Sequence, residues 1–122
     1  MNHQDLHRQL MEAFRIEAAE RIESMFANLT ALEKSADPGK KHQILEVVYR
    51  EAHSLKGAAR SVGISTIESL CQSLEEIFNQ IKEGGLNFST ELFDKLHEST
   101  AVIEKFIFSH ESGQNELINT IN

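Results

Sequence analysis

The chain has 122 residues, one proline, no tryptophan and one cysteine, and its formal charge is −7. That length holds one domain with a real core, and the abundance of Ala, Leu, Glu, Gln and Ile points to an all-helical class. The acidic balance argues against bulk nucleic-acid binding, the lone Cys71 allows no internal disulfide, and no apolar run reaches a membrane-spanning length of about 18 residues. With no signal-peptide pattern at the N-terminus, a soluble cytoplasmic protein is the expectation.

The charge is uneven. Between Lys40 and Arg60, the cations Lys40, Lys41, Arg50, Lys56 and Arg60 face Glu46 and Glu51, a local excess of +3 that leaves −10 for the rest. The second predicted helix is thus the basic strip of an acidic chain.

The first predicted helix runs from Asp5 to about Ser35. Leu6, Leu10, Phe14, Ile22, Met25, Leu29 and Leu32 recur at spacings of three and four or their sums, and Glu12, Glu17, Glu20, Arg21 and Glu23 occupy the other face. Ser35-Ala36-Asp37-Pro38-Gly39 is a turn, with Asp37 placed to cap the next helix and Pro38 at its first position.

The second helix spans about Pro38 to Val62, and Gly63 suits the left-handed position that ends it. At about 100° per residue, Ile44, Val48, Ala52, Leu55, Ala59 and Val62 form a core stripe about 80° wide. His53 lies about 140° from the centre of that stripe, and Gly57 is its outward neighbour one turn on. Lys56 stands on the flank beside them. A mid-helix glycine costs about 1 kcal/mol relative to alanine. Facing outward, it leaves bare backbone beside an exposed imidazole, where another macromolecule can come close.

Ser65-Thr66-Ile67-Glu68 reads as a capping box that starts a third helix almost at once, which makes the second and third helices antiparallel neighbours. Ile67, Leu70, Cys71, Leu74, Ile77, Phe78 and Ile81 are its apolar positions, and Gly84-Gly85 stops it. Cys71 on that face reads as a small packed hydrophobe. Ser89 caps a fourth helix to about Ser109, with Leu92, Phe93, Leu96, Val102, Ile103, Phe106 and Ile107 apolar. His110 to Gly113 breaks the pattern, and Glu116 to Ile121 forms at most a short fifth helix of marginal length. The expected architecture is an up-down-up-down four-helix bundle, one domain over residues 1–122 with its core at about 5–109.

His53-x-x-Lys56-Gly57, followed by Gly63, resembles the signature of histidine-containing phosphotransfer (HPt) domains. Over roughly residues 5 to 108 the chain is most similar to the N-terminal phosphoacceptor domain of CheA-type chemotaxis histidine kinases. The resemblance implies that His53 accepts a phosphoryl group from a histidine kinase and passes it to an aspartate of a response-regulator receiver domain. An imidazole nitrogen serves this purpose when the ring is neutral, in the right tautomer and reachable. A carboxylate on the other ring nitrogen meets the first two needs.

In the family a glutamate of the third helix, at the same separation from the histidine, hydrogen-bonds the imidazole. Glu75 falls on that position, on a flank about 100° from its helix's core centre and shared with Gln72 and Glu68. By the same resemblance Lys56 partly neutralises the phosphoryl group, Gly57 gives partners access, and Arg60 and Gln72 are supporting residues. Gln72 stands where these chemotaxis kinases carry a second, titratable histidine, and Ala58 stands where glycine or serine is common.

His3, His7, His42, His97 and His110 are scattered, and no pair of them with a nearby carboxylate makes a metal site. The chain has no glycine-rich phosphate loop. The expectation is therefore no cofactor in this domain, with ATP and magnesium bound by partner domains. The domain is expected to be monomeric in isolation and not an enzyme on its own, either free-standing or part of a CheA-like kinase. The alternative is a helical protein-binding module with no phosphotransfer activity. A di-metal bundle enzyme is dismissed, because Glu12 and Glu17 lack a histidine three residues on.

Overall fold

In the computed structural model, backbone is described for residues 2–121 and side chains for residues 2–108. Four helices follow one another: α1 (His3–Lys34), α2 (Pro38–Ser61), α3 (Ser65–Lys82) and α4 (Thr90–Ile121). They pack in a ring, each on its neighbour in sequence, with α4 closing on α1, and the α2–α3 seam is the most extensive. This is the all-α bundle expected from the sequence.

Local signals account for most of the boundaries. The Asn2 side chain accepts the Asp5 N–H at 2.8 Å to start α1, and Asp37 accepts the Gly39 N–H at 3.0 Å with Pro38 as the first residue of α2. Gly63 and Gly84 take φ of 78° and 81°, the left-handed region that glycine enters without a Cβ clash. Ser89 Oγ accepts the Leu92 N–H at 3.0 Å at the head of α4.

The expected capping box at Ser65 does not form. Ser65 is already the first helical residue, buried Ile64 holds the cap position, and no side chain caps the helix. Glu68 is drawn elsewhere, to Arg60 Nε at 2.6 Å across the turn. In that pair both partners carry a full charge, whereas the backbone N–H of a capping box offers the carboxylate only a partial one.

The core is continuous through all four helices. Phe14, Ala18, Ile22, Met25, Leu29 and Leu32 of α1 meet Leu45, Val48, Ala52, Leu55 and Ala59 of α2. Ile67, Cys71, Leu74, Phe78 and Ile81 of α3, with Phe93, Leu96, Ile103 and Ile107 of α4, complete it. Each large member contributes about 1.5–3 kcal/mol by leaving water. Thr100 is buried among them and donates its hydroxyl to the Leu96 carbonyl at 2.7 Å, which satisfies it within its own helix.

Three expectations about apolar positions are corrected. Leu6 and Leu10 share the α1 stripe but are 46% and 50% exposed. With 32 residues α1 is longer than the 24-residue α2, so its first turns run past the end of α2, where that helix no longer covers them. Phe106 is 41% exposed, on the flank of the stripe marked by Leu96, Thr100, Ile103 and Ile107. Leu45 and Ala18, by contrast, are core residues that the spacing did not select.

The fourth helix does not break at His110. Its backbone stays helical from Thr90 to Ile121, so the expected fifth helix is the last part of α4. No proline interrupts that stretch, and one interior glycine, Gly113, costs only about 1 kcal/mol.

Candidate functional site

The three residues between α2 and α3 fix how those helices face each other. Gly63 turns the chain, its N–H bonded to the Arg60 carbonyl at 3.1 Å and the Ile64 N–H to the Ala59 carbonyl at 2.9 Å. A turn this tight sets one antiparallel register. Four polar pairs obey it: Arg60 with Glu68, Lys56 with Gln72, His53 with Glu75 and Glu46 with Lys82. Each step back along α2 is matched by an equal step forward along α3, so the pairs form a ladder down one seam.

His53 and Glu75 are the third rung from the turn. The imidazole Nδ1 lies 2.6 Å from Glu75 Oε1, while the His53 side chain remains 64% exposed. Glu75 is 3% exposed, so it is a buried carboxylate rather than a flank residue. The correction has a steric cause: α3 lies close along α2, and the long side chains of α2 close over a position that a lone helix would expose. Its second oxygen, Oε2, accepts from Lys56 Nζ at 2.5 Å. A carboxylate that takes an ammonium on one oxygen accepts the Nδ1–H on the other. In the neutral form of the ring this partner favours the tautomer with the proton on Nδ1 and the lone pair on Nε2.

Lys56 is held inside the seam. Its side chain is 15% exposed, and its ammonium binds Gln72 Oε1 at 2.9 Å as well as Glu75. Gln72 in turn donates to Glu76 at 3.2 Å. Arg60 pairs with Glu68, two rungs from His53. Gly57 is exposed, and a Cβ built there would meet nothing within 4 Å. Its carbonyl accepts the Ser61 hydroxyl at 3.0 Å.

Beneath the rung, Cys71 is fully buried and its thiol is pushed up to about 12, first by desolvation and then by the Glu75 charge, with Lys56 opposing. It stays a protonated hydrophobe at neutral pH. Among the described residues no group of three or more His, Cys, Asp or Glu is placed to hold a metal ion. No helix there is long and apolar enough to cross a membrane. His97 stands away from the site, stacked on Phe26 with ring centroids 6.3 Å apart.

Sequence spacing missed three side chains at this seam. Tyr49 stacks on His53, Lys82 lies over the Tyr49 ring, and Glu46 binds Lys82. The signal was present in part, since Glu46, Tyr49 and His53 follow at spacings of three and four on one helix face.

An exposed imidazole held at one nitrogen by a buried carboxylate is an arrangement able to act as a nucleophile at its other nitrogen. A family model described as the Hpt domain matches residues 9–106, and the chain belongs to that family, the histidine phosphotransfer modules of two-component phosphorelay signalling. Its relatives include the chemotaxis protein CheA of Halobacterium salinarum, 29% identical over 94 residues, or 77% of this chain and 14% of that protein. CheA of Borreliella burgdorferi is 29% identical over 99 residues, covering 81% of this chain and 11% of the relative. A gliding motility regulatory protein of Myxococcus xanthus is 32% identical over 85 residues, 69% of this chain and 10% of the relative. The chain thus spans well under a fifth of the length of these relatives.

Proposed function

We propose that His53 is the phosphoryl acceptor and that the chain is a carrier between a histidine kinase and a response-regulator receiver domain. The observation that carries this reading is the 2.6 Å contact of Nδ1 with buried Glu75 on a ring that is otherwise 64% exposed. The Nε2 lone pair attacks the γ-phosphorus of ATP held by the kinase. The bond to the β–γ bridging oxygen breaks, and ADP leaves with that electron pair. Nδ1 keeps its proton, so the ring becomes cationic beside the Glu75 carboxylate, which stabilises the charge as it forms. In the second transfer a receiver aspartate oxygen attacks phosphorus, the P–Nε2 bond breaks, and its electrons return to the ring.

The other residues take roles around that step. Lys56 acts through Glu75, because its ammonium is bound there and to Gln72 rather than beside Nε2. Gly57 keeps the approach to the imidazole clear. In this reading ATP and magnesium belong to the kinase and receiver, and the domain holds no cofactor. It works in the cytoplasm as a monomer, as substrate and donor rather than as an enzyme.

The test is phosphorylation by a cognate kinase with labelled ATP. The unsubstituted chain should acquire an acid-labile, alkali-stable phosphohistidine, and His53→Gln should acquire none. Label that persists in His53→Gln, or that is acid-stable and alkali-labile, would show another acceptor.

A further inference from the structure

A single hydrogen bond at Nδ1 fixes one point of the imidazole and leaves the ring plane able to swing about it. Because His53 is 64% exposed, contacts with water compete with that bond on the open side. A second contact comes from Tyr49, one turn earlier on α2 and half-buried. Its ring lies 6.4 Å from the imidazole, centroid to centroid, with only 9° between the planes. That separation is within the range of offset aromatic pairs.

Tyr49 is itself held. The Lys82 ammonium of α3 sits 4.8 Å from the centre of its ring, a cation–π distance. Lys82 is tied to Glu46 at 2.6 Å, and its hydrogen bond holds the Glu46 carboxyl below the usual range. Two α2 side chains one turn apart and one α3 cation thus form a chain of contacts that ends on the imidazole face. Glu75 holds an edge of the ring, and Tyr49 holds a face.

We infer that Tyr49 is a positioning residue for phosphoryl transfer at His53: its ring keeps the imidazole plane oriented, and the Lys82–Glu46 pair keeps the Tyr49 ring in place. This inference rests on His53 being the acceptor. The phenolic oxygen has no part in it, so phenylalanine should serve as well as tyrosine. An orientation lost before attack raises the barrier of every transfer, whatever the donor.

A small donor separates ring orientation from partner docking. With phosphoramidate, Nε2 attacks phosphorus, the P–N bond breaks, and ammonia leaves with the electron pair, while the phosphorylated ring keeps its Nδ1 proton. Labelling rates of the unsubstituted chain, Tyr49→Phe, Tyr49→Leu and Lys82→Gln are compared, with a thermal melt of each. The imidazole Nδ1–H proton is followed by NMR. Tyr49→Phe should react within about twofold of the unsubstituted chain, Lys82→Gln a fewfold more slowly, and Tyr49→Leu about tenfold more slowly. The Nδ1–H signal should persist in Tyr49→Phe and broaden by solvent exchange in Tyr49→Leu, at a temperature where both are fully folded. Equal rates for Tyr49→Leu and the unsubstituted chain overturn the inference, as does a slow Tyr49→Phe. If the unsubstituted chain is not labelled at His53 at all, it is the acceptor assignment that fails.

Discussion

Replacing Glu75 by alanine removes the acceptor of two bonds at once, from His53 Nδ1 at 2.6 Å and Lys56 Nζ at 2.5 Å. A carboxylate on an exposed flank would change stability by about 1 kcal/mol at most. This one is 3% exposed, and its loss leaves the ammonium of a mostly buried lysine with Gln72 alone. The cost should be about 1–3 kcal/mol, moderated because Lys56 can turn its head toward water. The imidazole also loses the partner that fixes its tautomer, which should slow phosphorylation by one to a few powers of ten, roughly the scale of a lost general base. Urea midpoints and transfer rates on Glu75→Ala check both expectations; a fast variant of full stability would reject the reading of this rung.

On the scale of a helix, Gly57 sets the shape of the exposed face of α2. Space around its Cα is open, so alanine there should stabilise the domain by roughly 0.4–1 kcal/mol through the unfolded chain and the helix propensity. Leucine should fold too, because nothing stands within 4 Å of the new Cβ. Standing one turn from His53, the larger side chain should hinder docking, so transfer from kinase and to receiver slows while the melting temperature holds or rises. A melting temperature that falls with Gly57→Leu would mean that this face of α2 is packed rather than free. The outward direction of Gly57 was legible from periodicity, since the opposite stripe of Val48, Ala52, Leu55 and Ala59 is unbroken. The absence of a capping box at the start of α3 was not, since Glu68 had a competing partner in Arg60 that local patterning does not register.

For the molecule as a whole, the seam changes both charge and pH response. Two cations of the α2 strip are met by carboxylates of α3, Arg60 by Glu68 and Lys56 by Glu75, while Glu46 of α2 takes Lys82 in the reverse sense. Global stability should also fall at high pH because of Cys71. Its thiol ionises near 9.0 when unfolded but is pushed up to about 12 when folded, so between those values the folded state binds the extra proton. A group raised in the folded state contributes fully below its unfolded value, and the contribution is lost as pH rises through that window. The slope is at most about 1.4 kcal/mol per pH unit. Urea unfolding above pH 9 should therefore show a steeper loss for the unsubstituted chain than for Cys71→Ala. Equal slopes would place the thiol in contact with water.

The sequence by itself determined the helices, most of the core stripes, the turn at Gly63 and the direction of His53, because these follow from local periodicity and from local backbone preferences such as glycine's ready entry into the left-handed region. The same local rule erred where a stripe outruns its cover, at Leu6 and Leu10, since exposure there depends on the length of α2 rather than on α1. Only the tertiary structure decided that Glu75 is buried and that the Lys56 ammonium is bound to Glu75 and Gln72, whereas the Tyr49 contact with the imidazole follows the four-residue spacing within α2. The first two depend on the antiparallel register of α2 against α3. A residue's angle on its own helix says which way it points, and the neighbouring helix decides what it meets there.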